Sequence, residues 1–371
     1  MKPTVYYLLF CALFWGLLNA ATYAQDTTTN TADTFGEQLK NTEFGIPVSP
    51  AFVMLDATPE RIIRPALPRS FKVDWSLRTY SFAPNIALEA QPLWLLLYDK
   101  APLSKYQKAN SLLKTLSTIS LSAGTTQKDS INNLAWGLKM NVYRSRDPLT
   151  DKELTDSLNM LISADEQQMT AELKALRKQM EKLRYKTDAI SVKSKDKLQN
   201  AIDSIRFELM QFKTQRSELI RELQKNYIQR HWNTSMIDVA FARSYTFDRD
   251  VGLDSLNLIG KATGMWINGA VGIGTQWLIS GMAQYTLSDA TDTYLLGANL
   301  RYGNGRYNFF TEAFIQNFTR LPDKNSITFA FGGDFKLSRN VLLNFALRQR
   351  FSEKLSFKEI IPIANIICLM R

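Results

Sequence analysis

Histidine and cysteine are nearly missing from this chain, with one His and two Cys in 371 residues. A single imidazole excludes a histidine-cluster metal site, and two thiols build neither a four-thiolate zinc site nor a disulfide scaffold. Beyond the amino-terminal stretch no run of 18 apolar residues occurs, so a membrane crossing would have to be made with strands in a closed barrel. From Leu149 to Val251 there is neither Gly nor Pro, which favours helix over a turn-rich segment. Acidic residues are in the minority: 45 Lys and Arg against 35 Asp and Glu give +10. At 45% hydrophobic and 22% charged, the composition excludes wholesale disorder, collagen and a polytopic helical membrane protein. The length suits two ordinary domains or one large barrel.

Residues 1–24 carry Lys2, an apolar run from Val5 to Leu18 and small residues up to Ala24. That order predicts a secretory signal peptide cleaved after Ala24. Cys11 follows bulky Phe10, where a lipoprotein signal needs a small residue, so no lipid anchor is expected. With the signal removed only Cys368 remains, which excludes an intramolecular disulfide.

Phe71 to Tyr143, and the chain from Met236 onward, repeat segments of alternating polarity. Tyr294, Leu296, Ala298, Leu300 and Tyr302 share one face, against Leu295, Gly297, Asn299, Arg301 and Gly303 on the other. Ser326–Leu337, Trp277–Leu287 and Asn133–Val142 alternate in the same way. The segments exceed the usual globular strand, their second face carries charge and glycine, and aromatics bracket the apolar face. These features predict an all-β transmembrane antiparallel barrel, with lipid as the partner of its outer face. Eleven strands are expected to start near Phe71, Ile86, Leu113, Asn133, Met236, Met265, Trp277, Thr293, Arg306, Ser326 and Asn340. An even count needs a twelfth, expected around Phe357–Leu369 although Pro362 interrupts it and the chain ends on Arg371 rather than an aromatic. Tight turns at Gly274–Gln276, Gly303–Gly305 and Ser338–Asn340 are assigned to the periplasm. The longer odd-numbered loops, above all Asp248–Gly264, are assigned to the outside.

By that parity the connection after the fourth strand, residues 147–232, is periplasmic. Between Asp151 and Arg230 it holds 16 Lys and Arg against 13 Asp and Glu, a mixed solvated surface. Leu198, Ile202, Ile205, Leu209, Phe212, Arg216, Leu219 and Leu223 step alternately by four and three. So do Met169, Leu173, Leu176, Met180 and Leu183. This is a coiled-coil seam, and the register slip between Ile190 and Leu198 favours a helical hairpin over one continuous helix. Its seam makes it a candidate arm for a periplasmic protein or peptidoglycan, or else a spacer. The domain order is therefore signal 1–24, linker or plug 25–70, strands one to four 71–146, insertion 147–232 and the remaining strands 233–371.

Ser49-Pro50-Ala51-Phe52, Thr58-Pro59, Ile62-Ile63-Arg64-Pro65, Pro68, Arg69 and Phe71 resemble the lead-in to the first strand in a family of outer-membrane barrels of Bacteroidota. The Trp232-Asn233 pair ahead of a strand is similar too. The resemblance covers about 25 linker residues, implies location and fold, and brings no catalytic residues. Read from the residues, the four prolines keep the stretch extended, to line the periplasmic mouth or enter the lumen as a plug.

Little chemistry is expected. Gly269-x-x-Gly272-x-Gly274 lies within strands and precedes no helix, so it is no phosphate loop. The sole base for a serine nucleophile, His231, has no neighbouring serine spacing. No enzyme, cofactor or metal is predicted, and the basic balance lacks the aromatic stripe of a nucleic-acid binder. The inward faces hold Lys72, Arg78, Lys139, Arg301, Lys336, Arg348 and Arg350 against Asp74, Glu89, Asp238, Glu312 and Asp334. They form either a filter for anionic solutes or a salt-bridge network in a closed barrel. Two readings of function follow: a channel for small solutes, or a non-conducting envelope component acting through its arm. The sequence sets no oligomeric state.

Overall fold

The computed structural model describes residues 39–40, 45, 48–62, 69, 71–76, 85–128, 131–160, 178, 203–204, 207, 214, 218–248, 258–320, 325–338, 340–352 and 356–370. The signal peptide, Arg78, and arm positions Leu173, Leu176, Met180, Leu198, Ile202, Ile205, Leu209, Phe212 and Arg216 lie outside them.

Twelve strands close into one antiparallel barrel, each paired to its sequence neighbour and β1 to β12. They are β1 Phe71–Ser76, β2 Ile86–Ala90, β3 Ser120–Lys128, β4 Ile131–Arg144, β5 Met236–Asp248 and β6 Leu258–Ile273. The series continues with β7 Trp277–Ser288, β8 Thr293–Gly303, β9 Tyr307–Phe318, β10 Asn325–Lys336, β11 Val341–Ser352 and β12 Phe357–Met370. Alternation sets the facing. On β8 Tyr294, Leu296, Ala298, Leu300 and Tyr302 are exposed, while Leu295, Asn299 and Arg301 are buried in the lumen. The outward residues make an apolar belt with aromatic pairs toward both rims, Trp277 against Tyr302 and Tyr285 against Tyr294.

Three expectations need correction. The third strand starts at Ser120, not near Leu113, because Asn110 caps a helix at Ser111–Leu116 by accepting from the Leu113 N–H at 2.8 Å. The sixth starts at Leu258, so half of the supposed Asp248–Gly264 loop belongs to the wall. Strands β1 and β2 have 6 and 5 residues, well short of the long segments expected. The twelfth strand forms despite Pro362, which lies just outside the Asn365–Met370 stretch that β1 pairs with; a missing donor is tolerated where pairing lapses.

Both large connections leave from the end of the barrel where the tight turns lie. Residues 91–119 are mainly short helices. Residues 152–160 and 218–231 are helical and form the two ends of the insertion. Leu154, Leu158, Ile220 and Tyr227 are buried there, whereas Leu219 is exposed. The Tyr227 hydroxyl donates to Asp151 Oδ2 at 2.6 Å, and His231 Nε2 lies 3.0 Å from Glu153 Oε2. The Trp232-Asn233 pair grips the β6–β7 turn: Trp232 Nε1 donates to Thr275 O at 2.8 Å and Asn233 Nδ2 to Gly274 O at 3.0 Å. Gly274 has φ +57, the left-handed conformation this turn requires.

Candidate functional site

The lumen is occupied by the chain's own residues 48–62. Ser49 caps a short helix, α1 (Pro50–Met54), by accepting from Phe52 N–H, and Pro50 suits the first helical position. Asp56 then takes φ 53 and turns the chain, Ala57 N–H returning to Phe52 O at 2.9 Å. The turn buries Phe52, Val53, Ala57 and Ile62 against Ala240, Ala242, Trp266, Met282 and Ile367 of the wall. Burying Phe52, Val53 and Ile62 contributes about 1.5–3 kcal/mol each.

Polar wall residues then pin this segment from opposite sides. On β1, Asp74 Oδ2 accepts Ser49 N–H at 3.0 Å; on β3, Ser122 Oγ accepts Ala51 N–H at 3.1 Å. Ala57 O accepts from Ser76 Oγ at 2.9 Å and Asn365 Nδ2 at 3.0 Å. Arg348 on β11 donates to Pro59 O at 3.0 Å, Thr58 O at 2.5 Å and Asp56 Oδ1 at 2.7 Å. Arg301 on β8 pairs with Glu60 of the segment and, at 2.5 Å, with Asp334 of β10. It also bonds Asn308 and lies over the Phe310 ring. Glu312 on β9 takes the next two backbone donors, Arg61 N–H at 2.9 Å and Ile62 N–H at 2.8 Å. The Arg61 side chain reaches Gln284 Oε1 of β7 at 3.1 Å and Val53 O at 2.5 Å.

The backbone of the wall makes room for this. A Cβ at Gly137 would stand 2.8 Å from Pro50 Cβ, and one at Gly297 would stand 2.7 Å from Ile62 Cδ1. At both positions glycine permits contact between wall and segment that any side chain would obstruct.

The charges predicted for the lumen therefore divide. Asp74, Arg301, Glu312 and Arg348 hold the segment directly, and Asp334 supports Arg301. Lys72 bridges Asp74 at 3.2 Å and Glu89 at 2.5 Å, with Lys139 on Glu89 at 3.4 Å, so these form a network within the wall. Asp238 is tied to Asn141 Nδ2 at 2.6 Å. Arg350 pairs with Glu359 at 2.7 Å toward the opposite rim, and Lys336 is half-buried. The neutral partners Ser76, Ser122, Gln284, Asn308 and Asn365 carry no charge to single them out in the sequence, although all fall on inward positions of alternating strands.

Asp147, between β4 and the insertion, ties this assembly to the arm. Its carboxylate accepts from Arg69 at 3.0 Å and the Tyr106 hydroxyl at 2.6 Å, and pairs with Arg144. Burial would raise its pKa, but Arg144, Arg69 and the Tyr106 hydroxyl outweigh that and hold the carboxyl at about 2. Burial pushes the Tyr106 phenol well above its ordinary value. The Arg69 guanidinium sits 4.9 Å from the Trp94 ring centre, and Arg69 lies in the chain between the luminal segment and β1.

No family model matches the sequence, and no curated protein matches it. Among solved structures the chain is similar to the translocator domain of autotransporter NalP from Neisseria meningitidis. The identity is 8% over 81% of this chain and 88% of that one, with a TM-score of 0.29. It is similar to the CymD monoaromatic hydrocarbon channel at 7% identity, over 82% of this chain and 90% of that one, with a TM-score of 0.32. OmpT of Vibrio cholerae matches at 8% identity over 77% of each chain, with a TM-score of 0.28. At these scores the likeness adds nothing to the barrel already traced strand by strand.

Proposed function

We propose that this protein is an outer-membrane barrel acting as a channel for small solutes, with residues 48–62 as its internal plug. The apolar outward belt with aromatic rims supports placement in a bilayer, where only a closed barrel satisfies the backbone of strands. Both ends of the barrel chain and the insertion lie on the side of the tight turns, which supports assigning that side to the periplasm.

The observation that carries the reading is how the plug is held. Asp74, Arg301, Glu312 and Arg348 bind it through hydrogen bonds and ion pairs. Buried ion pairs stabilise a fold less than apolar packing of the same volume. A wall that carries these charges, however, hydrates once the plug withdraws, whereas a wholly apolar wall would dewet. The arrangement therefore suits a plug that leaves and returns.

Single-channel recording in planar bilayers tests this. Wild type should stay mostly closed, and a variant lacking residues 48–62 should show discrete, ion-selective openings. Silence from a folded, heat-modifiable deletion variant would overturn the channel reading. It would favour a non-conducting envelope component whose arm, Asp151 to Arg230, binds a periplasmic protein or peptidoglycan. The Asp147 link between Arg69 and the arm base is the observation that supports a part for the arm.

A further inference from the structure

Two cations break the apolar rule on the outside of the barrel. Arg243 on β5 and Lys261 on β6 point away from the lumen: Arg243 follows buried Ala242, and Lys261 is exposed. They are diagonal neighbours, since Arg243 stands opposite Thr263 and Lys261 opposite Tyr245. The Arg243 guanidinium lies 5.3 Å from the Tyr245 ring centre, and its Nε is shielded from water without a hydrogen-bond partner. Among the described residues neither side chain has a carboxylate within 4 Å, whereas Arg301, Arg320 and Arg350 each do; the nearby Asp289 carboxylate is taken up by the Lys261 backbone N–H at 3.2 Å.

Their position on the strands matters. The outward apolar series runs Ile237, Val239, Phe241 on β5 and Ile273, Val271, Ile267, Met265 on β6, and the cations follow it toward the odd-numbered connections. An outward arginine is tolerated near an interface and not at mid-bilayer. Just inside this level the wall is hollowed into a groove of about 740 Å3, lined by Val239, Met265, Ile267, Ala283, Leu296 and Ile315. The small side chain of Ala283 forms its floor between Ile267 and Leu296, its cross-strand partners. Tyr285 and Tyr294, stacked at 4.8 Å, edge it.

We propose that Arg243 and Lys261 bind the phosphate of a phosphorylated glycolipid of the outer leaflet, and that one of its acyl chains lies in this groove. Two unpaired cations call for an anion, and an apolar trough beneath them calls for a chain attached to it. The proposal rests on the reading that the barrel spans a bilayer with its odd-numbered connections outside.

The test is native mass spectrometry of the refolded full chain, titrated with diphosphoryl lipid A and with its dephosphorylated form. Insertion is first checked by heat-modifiable migration in liposomes. The wild type should bind the diphosphoryl form more tightly. Arg243→Gln and Lys261→Gln should each weaken that binding roughly fivefold, and together roughly 25-fold. Ala283→Trp, which fills the groove and leaves the cations in place, should weaken both lipid forms. Inorganic phosphate alone should fail to compete. Equal binding of the two lipids by wild type and the double Gln variant would overturn the proposal. So would displacement by inorganic phosphate together with an inert Ala283→Trp, which would mark a simple anion site. A chain that folds but does not enter liposomes would overturn the membrane reading itself, and the two failures are distinguishable.

Discussion

Glu312→Ala is the sharpest single perturbation of the plug. The carboxylate accepts Arg61 N–H at 2.9 and 3.1 Å through its two oxygens and Ile62 N–H at 2.8 Å. Among the described residues no other side chain of β9 hydrogen-bonds the plug backbone, and Glu312 is 1% exposed. Removing it leaves two buried backbone donors of the plug unmet, at about 1–3 kcal/mol each, and takes a long 3.4 Å acceptor from Asn299 Nδ2 of the wall. The open state loses little, because there both the carboxylate and the donors face water. The closed state is therefore destabilised by about 2–4 kcal/mol, after allowing for a water that enters the space of the deleted side chain. At about 1.4 kcal/mol per decade, open probability should rise roughly 30- to 1000-fold. Glu312→Gln keeps an acceptor oxygen and should give a smaller rise. Glu359→Gln, at the Arg350 rim pair, should give none. The assay is single-channel recording, with thiol labelling of Ala57→Cys as an independent readout of plug exposure. Identical open probability and labelling in wild type, Glu312→Ala and Glu359→Gln would refute the reasoning.

Other consequences are checked more simply. Gly137→Val places a side chain where a Cβ alone would come within 2.8 Å of Pro50 Cβ, and overpacking of about 1–3 kcal/mol should favour plug release; unchanged labelling of Ala57→Cys would contradict this. Leu296→Arg sets a charge on a side chain 69% exposed to the outside and should cost about 2–4 kcal/mol in a urea titration of the inserted barrel. Asp147 has a folded pKa of about 2, below its ordinary 3.8, so its contribution to the cluster with Arg69, Tyr106 and Arg144 is complete above about pH 4 and lost as pH falls through about 2. Limited proteolysis of the arm base should thus be constant from neutral pH down to about 4 and rise below it, and Asp147→Asn should abolish that rise.

The barrel was legible because an apolar outer face and a polar lumen impose the strictest form of two-residue alternation. Tyr294 to Tyr302 displays it without a break. Legibility failed where local chemistry competed: Asn110 supplies a helix cap that outweighs the strand-like pattern around Leu113. The start of β6 was hidden because Gly260, Lys261 and Gly264 look like loop, yet that part of the strand stands beyond the apolar belt and needs no apolar face. The plug was legible only as an extended, proline-rich stretch. Its seat depends on Glu312, Arg348 and Asn365, some 250 to 308 positions away in sequence, and no local period encodes such pairing. One trace was present: Asp56, Glu60 and Arg61 interrupt an otherwise apolar segment, and the inward strand faces carry complementary charges. The heptads of the insertion are plain in the sequence, but of the residues that form them the structure describes only Leu219, exposed, and Leu223, half-buried; the rest lie outside the described residues.

The central claim is that residues 48–62 close the lumen by occupying it, and a reversible lock tests it most directly. Ala51 Cβ lies 3.3 Å from the position of a Cβ at Gly124, close to the spacing of a disulfide. Ala51→Cys and Gly124→Cys would be combined with Ala87→Gly, since a Cβ at Gly124 also comes within 2.8 Å of Ala87 Cβ, and with Glu312→Ala to favour opening, with Cys11 and Cys368 replaced by serine. Recorded in a bilayer, this protein should be silent when oxidised and should begin discrete openings when a reductant is added to the same membrane. Equal conductance before and after reduction, with the disulfide verified by mass, would contradict the account.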